Sequence, residues 1–106
     1  MKKNSFFYLK FFLFFNLFLL PLKADPMFDV GKDIFLNKGM CSTCHMLADA
    51  GSTSQIGPNL NQIKPDIMRV ITTVTNGTGV MPSYVGELSA EEIESVAYYV
   101  SESANK

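Results

Sequence analysis

Two cysteines and a histidine lie close together in the sequence Cys41-Ser42-Thr43-Cys44-His45. Residues three apart share a face over one helical turn, so both thiols can reach one edge of the same ligand. This CxxCH spacing is the attachment signature of a c-type haem, in which the thiols form thioethers with the vinyl groups and the histidine binds iron. The chain contains a single histidine. The motif therefore predicts one covalently attached haem c, with Cys41 and Cys44 as attachment residues and His45 as an iron ligand.

Three other interpretations of this motif fit less well. A thioredoxin-like CxxC occurs in a βαβ setting, which the surrounding sequence does not indicate. A structural zinc site needs four Cys or His ligands, and the chain supplies two Cys and one His. A plain disulfide in an exported protein is compatible with the cysteines, but it leaves the adjoining histidine unexplained.

The first 24 residues have the order of a secretory signal peptide. Lysines at positions 2, 3 and 10 precede a run over 11–20 that is apolar except for Asn16, and Pro21 and the small residue Ala24 follow it. A membrane-spanning helix needs about 20 apolar residues, so cleavage after Ala24 is favoured over an uncleaved membrane anchor. Residues 1–24 are thus predicted to be the signal peptide and residues 25–106 the mature haem-binding domain, located in the periplasm.

The predicted mature chain is small and acidic. Residues 25–106 carry five Lys and Arg against ten Asp and Glu, a formal net charge of −5. Nucleic-acid binding relies on clustered cations and is therefore not expected. A chain of this size commonly needs a disulfide, metal or cofactor to stabilise its small core, and covalent haem would serve that purpose.

Helical signals dominate the predicted domain. The first helix is expected to open at Asp25-Pro26, because Asp is a good N-cap and Pro suits the first helical position, and to end at Gly39. A second is expected over 65–76, although its β-branched residues also suit a strand. Ser89 and Glu92 form a capping box that begins the last helix.

Two loop residues are candidates to complete the site. The Pro58 carbonyl can accept the second ring N–H of a metal-bound histidine, although an ordinary surface turn is the better explanation of Ile56–Leu60 taken alone. Met81 lies in a Gly- and Pro-rich loop over 76–85, where a thioether could reach iron. Core packing is the common use of methionine, and Met68 in the second helix is a rival ligand.

These features together resemble the class I, or small bacterial, cytochromes c. The resemblance covers essentially all of residues 25–106, and its motifs are Gly31 and Phe35, the CxxCH, Gly57-Pro58-Asn59-Leu60, Met81-Pro82, and Val96 with Tyr99. It implies an all-α cytochrome c fold with three to four helices wrapped around one covalently attached haem. It also implies that the first and last helices cross with Gly31 against Val96 and Tyr99.

The resemblance further implies the completion of the haem site. Pro58 accepts the ring N–H of His45, and Met81 is the sixth iron ligand. The chain has no tryptophan, a residue that many relatives place near a haem propionate, so Tyr84 and Arg69 become the candidate propionate partners. The acidic surface also differs from that of the basic mitochondrial cytochromes.

Ligation by His and Met fills both axial positions, raises the reduction potential and suits electron transfer. We therefore expect a periplasmic one-electron carrier and not an enzyme, which meets a dehydrogenase or cytochrome complex as donor and an oxidase or reductase as acceptor. A monomer is expected, with membrane contact only through partner complexes. The alternatives are a haem subunit of a dehydrogenase or oxidase complex, and a haem enzyme or ligand sensor with an open distal site.

Overall fold

A computed structural model describes residues 25–106, and the predicted signal peptide lies outside this range. The described chain forms four helices: α1 (Pro26–Leu36), α2 (Leu60–Ile63), α3 (Ile67–Asn76) and α4 (Ala90–Ala104). Two short 3-10 turns lie between α1 and α2, and residues 25–106 contain no β-strand. The all-α prediction is therefore confirmed. None of the helices described combines the length and apolar character needed to cross a bilayer.

Helix α1 begins where the sequence predicts and ends earlier. The Asp25 carboxylate accepts a hydrogen bond from the Phe28 N–H at 3.3 Å, and Pro26 occupies the first turn. The helix was expected to end at Gly39 but ends at Leu36. The chain then turns, with the Gly39 N–H donating to the Ile34 carbonyl at 2.7 Å. Gly39 thus closes the turn after the helix.

Helix α2 was not predicted from the sequence, and helix α3 begins later than predicted. The predicted turn over Ile56–Leu60 leads into α2, a short helix that the sequence analysis missed and that the Asn59 side chain caps. Helix α3 begins after Asp66, whose carboxylate accepts from the Arg69 N–H at 2.8 Å. Asp66 is therefore the N-cap, and the helix begins at Ile67, two residues later than the predicted start at residue 65. The β-branched residues of this segment are helical, as the periodicity of its apolar residues predicts.

Helix α4 begins with the predicted capping box. The Ser89 hydroxyl accepts from the Glu92 N–H at 3.1 Å, and the Glu92 carboxylate accepts from the Ser89 N–H at 2.9 Å. Lys38 adds an ion pair to this cap, because its Nζ lies 2.8 Å from a Glu92 carboxylate oxygen. The ion pair joins the N-terminal end of α4 to the segment that follows α1.

Helices α1 and α4 cross at Gly31, where the glycine allows their backbones to meet. A Cβ at this position would clash with the Ser95 carbonyl oxygen and lie 2.6 Å from Tyr99 Cβ. The expected partners were Val96 and Tyr99; the structure places Ser95 and Tyr99 at the crossing, while Val96 lines an internal cavity. The Tyr99 ring packs edge-on against Phe28, with ring centroids 4.9 Å apart.

Candidate haem-binding site

A cavity of about 440 Å³ lies between the helices and the loops that connect them. Its walls are mainly apolar. Every residue predicted from the sequence to contact haem lines it: Cys41, Cys44, His45, Pro58 and Met81. Helices α1, α3 and α4 supply further walls, through Phe35, Val70, Thr73, Val74, Val96 and Val100. The fold thus brings together residues that are up to 65 positions apart in the sequence, from Phe35 to Val100.

The two cysteines lie on a single turn at the edge of the cavity. Cys41 begins a 3-10 turn that Met40 introduces in a left-handed conformation (φ 51°). The His45 N–H donates to the Cys41 carbonyl at 2.9 Å, so the turn directs all three side chains of the motif into one space. Both thiols are unbridged and half-buried. Burial raises the pKa of the Cys41 thiol to about 11.

The His45 ring is held from its outer side by a rigid turn. Its Nδ1 lies 2.8 Å from the Pro58 carbonyl oxygen, a geometry that fixes the ring orientation and leaves Nε2 for another partner. The Gly57 N–H donates to the Cys44 carbonyl at 2.7 Å and anchors this turn to the motif. Proline has no N–H, yet the Pro58 carbonyl is available as an acceptor.

The sequence analysis named Gly57 as part of a motif but gave it no role in the site. A Cβ on Gly57 would lie 2.7 Å from Cε1 and 3.0 Å from Nδ1 of His45. Only glycine therefore allows the turn to approach the imidazole so closely. The position of this glycine, directly before the candidate acceptor Pro58, was the one feature of the sequence that could have indicated its role.

Met81 reaches the cavity from a loop that its own hydrogen bonds shape. The Met81 N–H donates to the Thr78 carbonyl at 2.9 Å, and the Thr78 N–H donates to the Met81 carbonyl at 3.0 Å. Gly77 has a positive φ of 74°, and a Cβ there would lie 2.8 Å from the Met81 carbonyl oxygen. The loop is thus a tight structure in which the Met81 thioether is half-buried.

The other described methionines are poorly placed to bind the same centre as His45. Met68, the rival ligand, is 66% exposed and does not line the cavity. Met40 lines the cavity but is 61% exposed and adjoins Cys41, on the attachment side. The Met46 sulfur accepts a hydrogen bond from the Asn59 side chain at 3.1 Å. The exposed Met27 belongs to α1.

The two candidate propionate partners also line the cavity, but they differ in their contacts. The Tyr84 hydroxyl donates to the Gly39 carbonyl at 2.8 Å, and burial raises the pKa of this phenol. Its proton is thus already committed to the protein backbone. The Arg69 guanidinium forms no ion pair within residues 25–106 and lies at the cavity wall.

The donor set and the cavity fit a haem group. Two thiols on one turn, an imidazole oriented by a backbone carbonyl and a thioether converge on one apolar space, which matches the ligands that hold haem in c-type cytochromes. Closure of a small helical domain around such a space defines the class I cytochrome c architecture. The class of protein is therefore a small c-type cytochrome.

Comparison with known proteins identifies the family. Residues 26–100 match the family model described as cytochrome c oxidase, cbb3-type, subunit III. Cytochrome c6 of Microcystis aeruginosa is 39% identical over 80 residues, which cover 72% of this chain and 96% of the relative. Cytochrome c6 of Rippkaea orientalis is 34% identical over 97 residues, covering 84% and 82%.

A solved structure agrees with these relatives. The crystal structure of the c-type cytochrome SorU from Sinorhizobium meliloti matches with 46% identity and a TM-score of 0.72, over 78% of this chain and 97% of that one. The chain belongs to the family of small class I c-type cytochromes. It is a haem-based electron carrier with covalently attached haem c, and its partners in electron transfer are redox proteins.

Proposed function

We propose that the protein is an exported one-electron carrier whose haem iron is bound by His45 on one side and Met81 on the other. One observation carries this proposal. His45 and Met81 line the same cavity, and Met68, the other serious thioether candidate, is exposed outside it. With His45 and Met81 both holding the iron, no position on it would be open to a substrate.

Each residue has a distinct part in this proposal. The Cys41 and Cys44 thiols become thioethers and prevent loss of the haem, while the Pro58 carbonyl orients the imidazole of His45 and raises its basicity. Met81 supplies a soft sulfur ligand that favours the reduced state. The apolar walls exclude water from most of the site. Haem itself supplies the one-electron chemistry.

The test is the optical spectrum and ligand binding of the haem-loaded protein. Wild-type ferric protein should show a weak sulfur-to-iron charge-transfer band in the far red, and Met81→Ala should abolish it. The same variant should have a lower reduction potential and bind carbon monoxide in the ferrous state. Met68→Ala is the matched control and should behave as wild type.

The opposite result would identify a different kind of protein. Wild-type protein that lacks the band and binds carbon monoxide readily would have an open distal site, and Met81 would then be a packing residue. A haem enzyme or ligand sensor would replace the carrier as the best interpretation.

We further propose that residues 1–24 direct export to the periplasm and are cleaved after Ala24. The charged, apolar and small-residue segments in this order support the proposal. N-terminal sequencing of protein isolated from the periplasm should begin at Asp25. Intact protein that retains Met1 in the membrane fraction would instead establish the anchored alternative.

Redox partners of this carrier should present basic docking surfaces. The proposed mature chain has a formal net charge of −5, and opposite charges accelerate association in a salt-dependent manner. Electron-transfer rates with the physiological partner should therefore fall as ionic strength rises, and rates that increase with salt would contradict this choice of partner.

A fixed subunit of an oxidase complex is the second candidate, because the matching family model is described by such a subunit. The two candidates differ in their hydrodynamic behaviour. When cell extract is run on a size-exclusion column, a free carrier elutes at the volume of a monomer. A fixed subunit is instead recovered with detergent-solubilised membrane complexes.

A further inference from the structure

The segment that carries Met81 is attached to the rest of the fold at two places by side-chain hydrogen bonds. The Ser83 hydroxyl donates to the Thr75 carbonyl at 2.6 Å, which attaches the loop to the end of α3. The Tyr84 hydroxyl donates to the Gly39 carbonyl at 2.8 Å. The second contact joins parts of the chain that are 45 residues apart.

The Tyr84 contact connects the two sides of the site. Gly39 lies two residues before Cys41, the first attachment cysteine, and Tyr84 lies three residues after Met81. Gly39 is itself attached to α1, because its N–H donates to the Ile34 carbonyl at 2.7 Å. The hydroxyl of Tyr84 is therefore bound to a backbone segment that the haem attachment and α1 hold in place.

The backbone of Tyr84 is equally constrained. Its N–H donates to the Val74 carbonyl at 3.0 Å, and its own carbonyl accepts from the N–H groups of Glu87 and Leu88 at 3.1 and 2.9 Å. The residue thus joins α3, the turn before α4 and the attachment segment. Displacement of Met81 away from the cavity has to strain these contacts or break the hydroxyl contact with Gly39.

We propose that Tyr84 is a positioning residue that holds the Met81 loop against the attachment segment and so resists displacement of Met81 from the iron. This proposal rests on the proposed ligation by Met81. Tyr84 then keeps the Met81 loop at a fixed distance from the segment that carries Cys41. Its hydroxyl donates a hydrogen bond to the Gly39 carbonyl, and this contact replaces the propionate contact considered from the sequence. The protein keeps its sixth ligand by a hydrogen bond outside the coordination sphere.

The experiment compares Tyr84→Phe with Tyr98→Phe in the haem-loaded ferric protein. Both variants lose one hydroxyl and keep the ring, but the Tyr98 hydroxyl donates to the Asp25 carboxylate at 2.7 Å, and Tyr98 does not line the cavity. Each protein is titrated with imidazole, which competes with the thioether for iron. We expect Tyr84→Phe to bind imidazole roughly two- to tenfold more tightly than wild type, the range that corresponds to one hydrogen bond of ordinary strength.

The far-red charge-transfer band gives a second readout that general destabilisation does not mimic. In Tyr84→Phe the band should disappear at a lower imidazole concentration than in wild type, under conditions where the protein stays folded, while Tyr98→Phe should retain the wild-type value. Unchanged imidazole affinity in Tyr84→Phe would overturn the proposal, even if its global unfolding midpoint falls.

Failure of this proposal and failure of Met81 ligation are distinguishable. Met81→Ala is titrated in parallel, and it tests the ligand itself. If Met81→Ala opens the iron and Tyr84→Phe behaves as wild type, Met81 is a ligand and Tyr84 does not position it. If neither substitution changes imidazole binding, Met81 is not the ligand and the positioning role is refuted with it.

Discussion

The helix crossing and the haem cavity are built in opposite ways. At the helix crossing, the contact of α1 with α4 around Gly31, backbones and side chains meet directly and Tyr99 is 0% exposed. At the cavity, loops and helix faces surround a space of about 440 Å³. The crossing is completed by the protein's own atoms, whereas the cavity walls require a further group between them.

This difference separates the region that the chain can stabilise alone, the helix crossing, from the region that depends on haem, the cavity walls. Apolar walls without a packing partner lose dispersion contacts and expose apolar surface. The crossing has no such deficit, because aromatic rings of Phe28, Phe35 and Tyr99 pack together there. We therefore expect haem attachment to affect mainly the cavity walls, and substitutions at the crossing to affect the whole fold.

The largest expected effect comes from preventing haem attachment. In Cys41→Ala/Cys44→Ala, the cavity walls lack both the covalent link and their packing partner, so the loss should be comparable with the whole stability of a small domain, about 5–15 kcal/mol. Hydrogen exchange measured by NMR should show no protection over 40–85 and residual protection only in α1 and α4. A cooperatively folded variant with wild-type protection would contradict the division between the two regions.

The next largest effect is expected at the crossing. Gly31→Ala adds a Cβ that meets the Ser95 carbonyl and Tyr99 Cβ, and backbone atoms cannot move aside as a flexible side chain can. Overpacking of this kind costs about 1–3 kcal/mol, occasionally more, which exceeds the gain of about 1 kcal/mol from replacing a helical glycine by alanine. Denaturant unfolding of the haem-loaded protein measures the change. Val30→Ala, at an exposed position of α1, is the control and should change little.

The same division explains how much the sequence could predict. The caps at Asp25 and Ser89 are local signals, and both helices begin where these residues predict. Gly31 marked the crossing, and the resemblance named Val96 and Tyr99 as its partners; the structure has Tyr99 beside Gly31 and the Ser95 backbone closest to it. How closely that backbone approaches Gly31 depends on the rotation of α4 about its own axis, which periodicity alone does not fix.

The loops were predictable only where a motif identified them. The CxxCH motif and Met81 stand out by residue type, and the structure brings them to one cavity. The roles of Gly57 and Tyr84 depend on contacts with segments 12 and 45 residues away, the His45 ring and the Gly39 carbonyl. The short helix α2 was missed because its four residues are too few to show a period.

A smaller effect, confined to the cavity side, is expected from Gly57→Ala. The added Cβ would contact the His45 ring, which can turn only by weakening its contact with Pro58. A lost hydrogen bond of this kind costs about 0.5–1.5 kcal/mol. A less strongly hydrogen-bonded imidazole is a less basic ligand, so the reduction potential should rise. Potentiometric titration measures this, with Gln55→Ala, at an exposed position two residues before Gly57, as the control. An unchanged potential would show that the turn does not orient His45.

The smallest effect concerns an ion-pair cluster that borders the helix crossing. The Asp49 carboxylate accepts a hydrogen bond from the Tyr99 hydroxyl at 2.8 Å and lies 3.3 Å from Lys32 Nζ and 3.6 Å from Lys106 Nζ. Burial alone raises the pKa of Asp49, but the hydrogen bonds from Tyr99 and Lys32, with the charges of Lys32 and Lys106, hold the pKa below its ordinary value of 3.8.

This lowered pKa gives the sign of a pH dependence. Because the unfolded chain binds the proton more readily than the folded chain, the contribution of Asp49 is complete above about pH 4 and is lost as the pH falls through the folded-state pKa. Surface ion pairs contribute about 0.2–1 kcal/mol, so Asp49→Asn should lower the free energy of unfolding by that amount at pH 7. The difference from wild type should shrink progressively below pH 4, as measured by denaturant unfolding of the haem-loaded proteins. Lys32→Met should show the same trend with a smaller amplitude. A difference that stays constant from neutral to acidic pH would mean that the carboxylate charge does not stabilise the crossing.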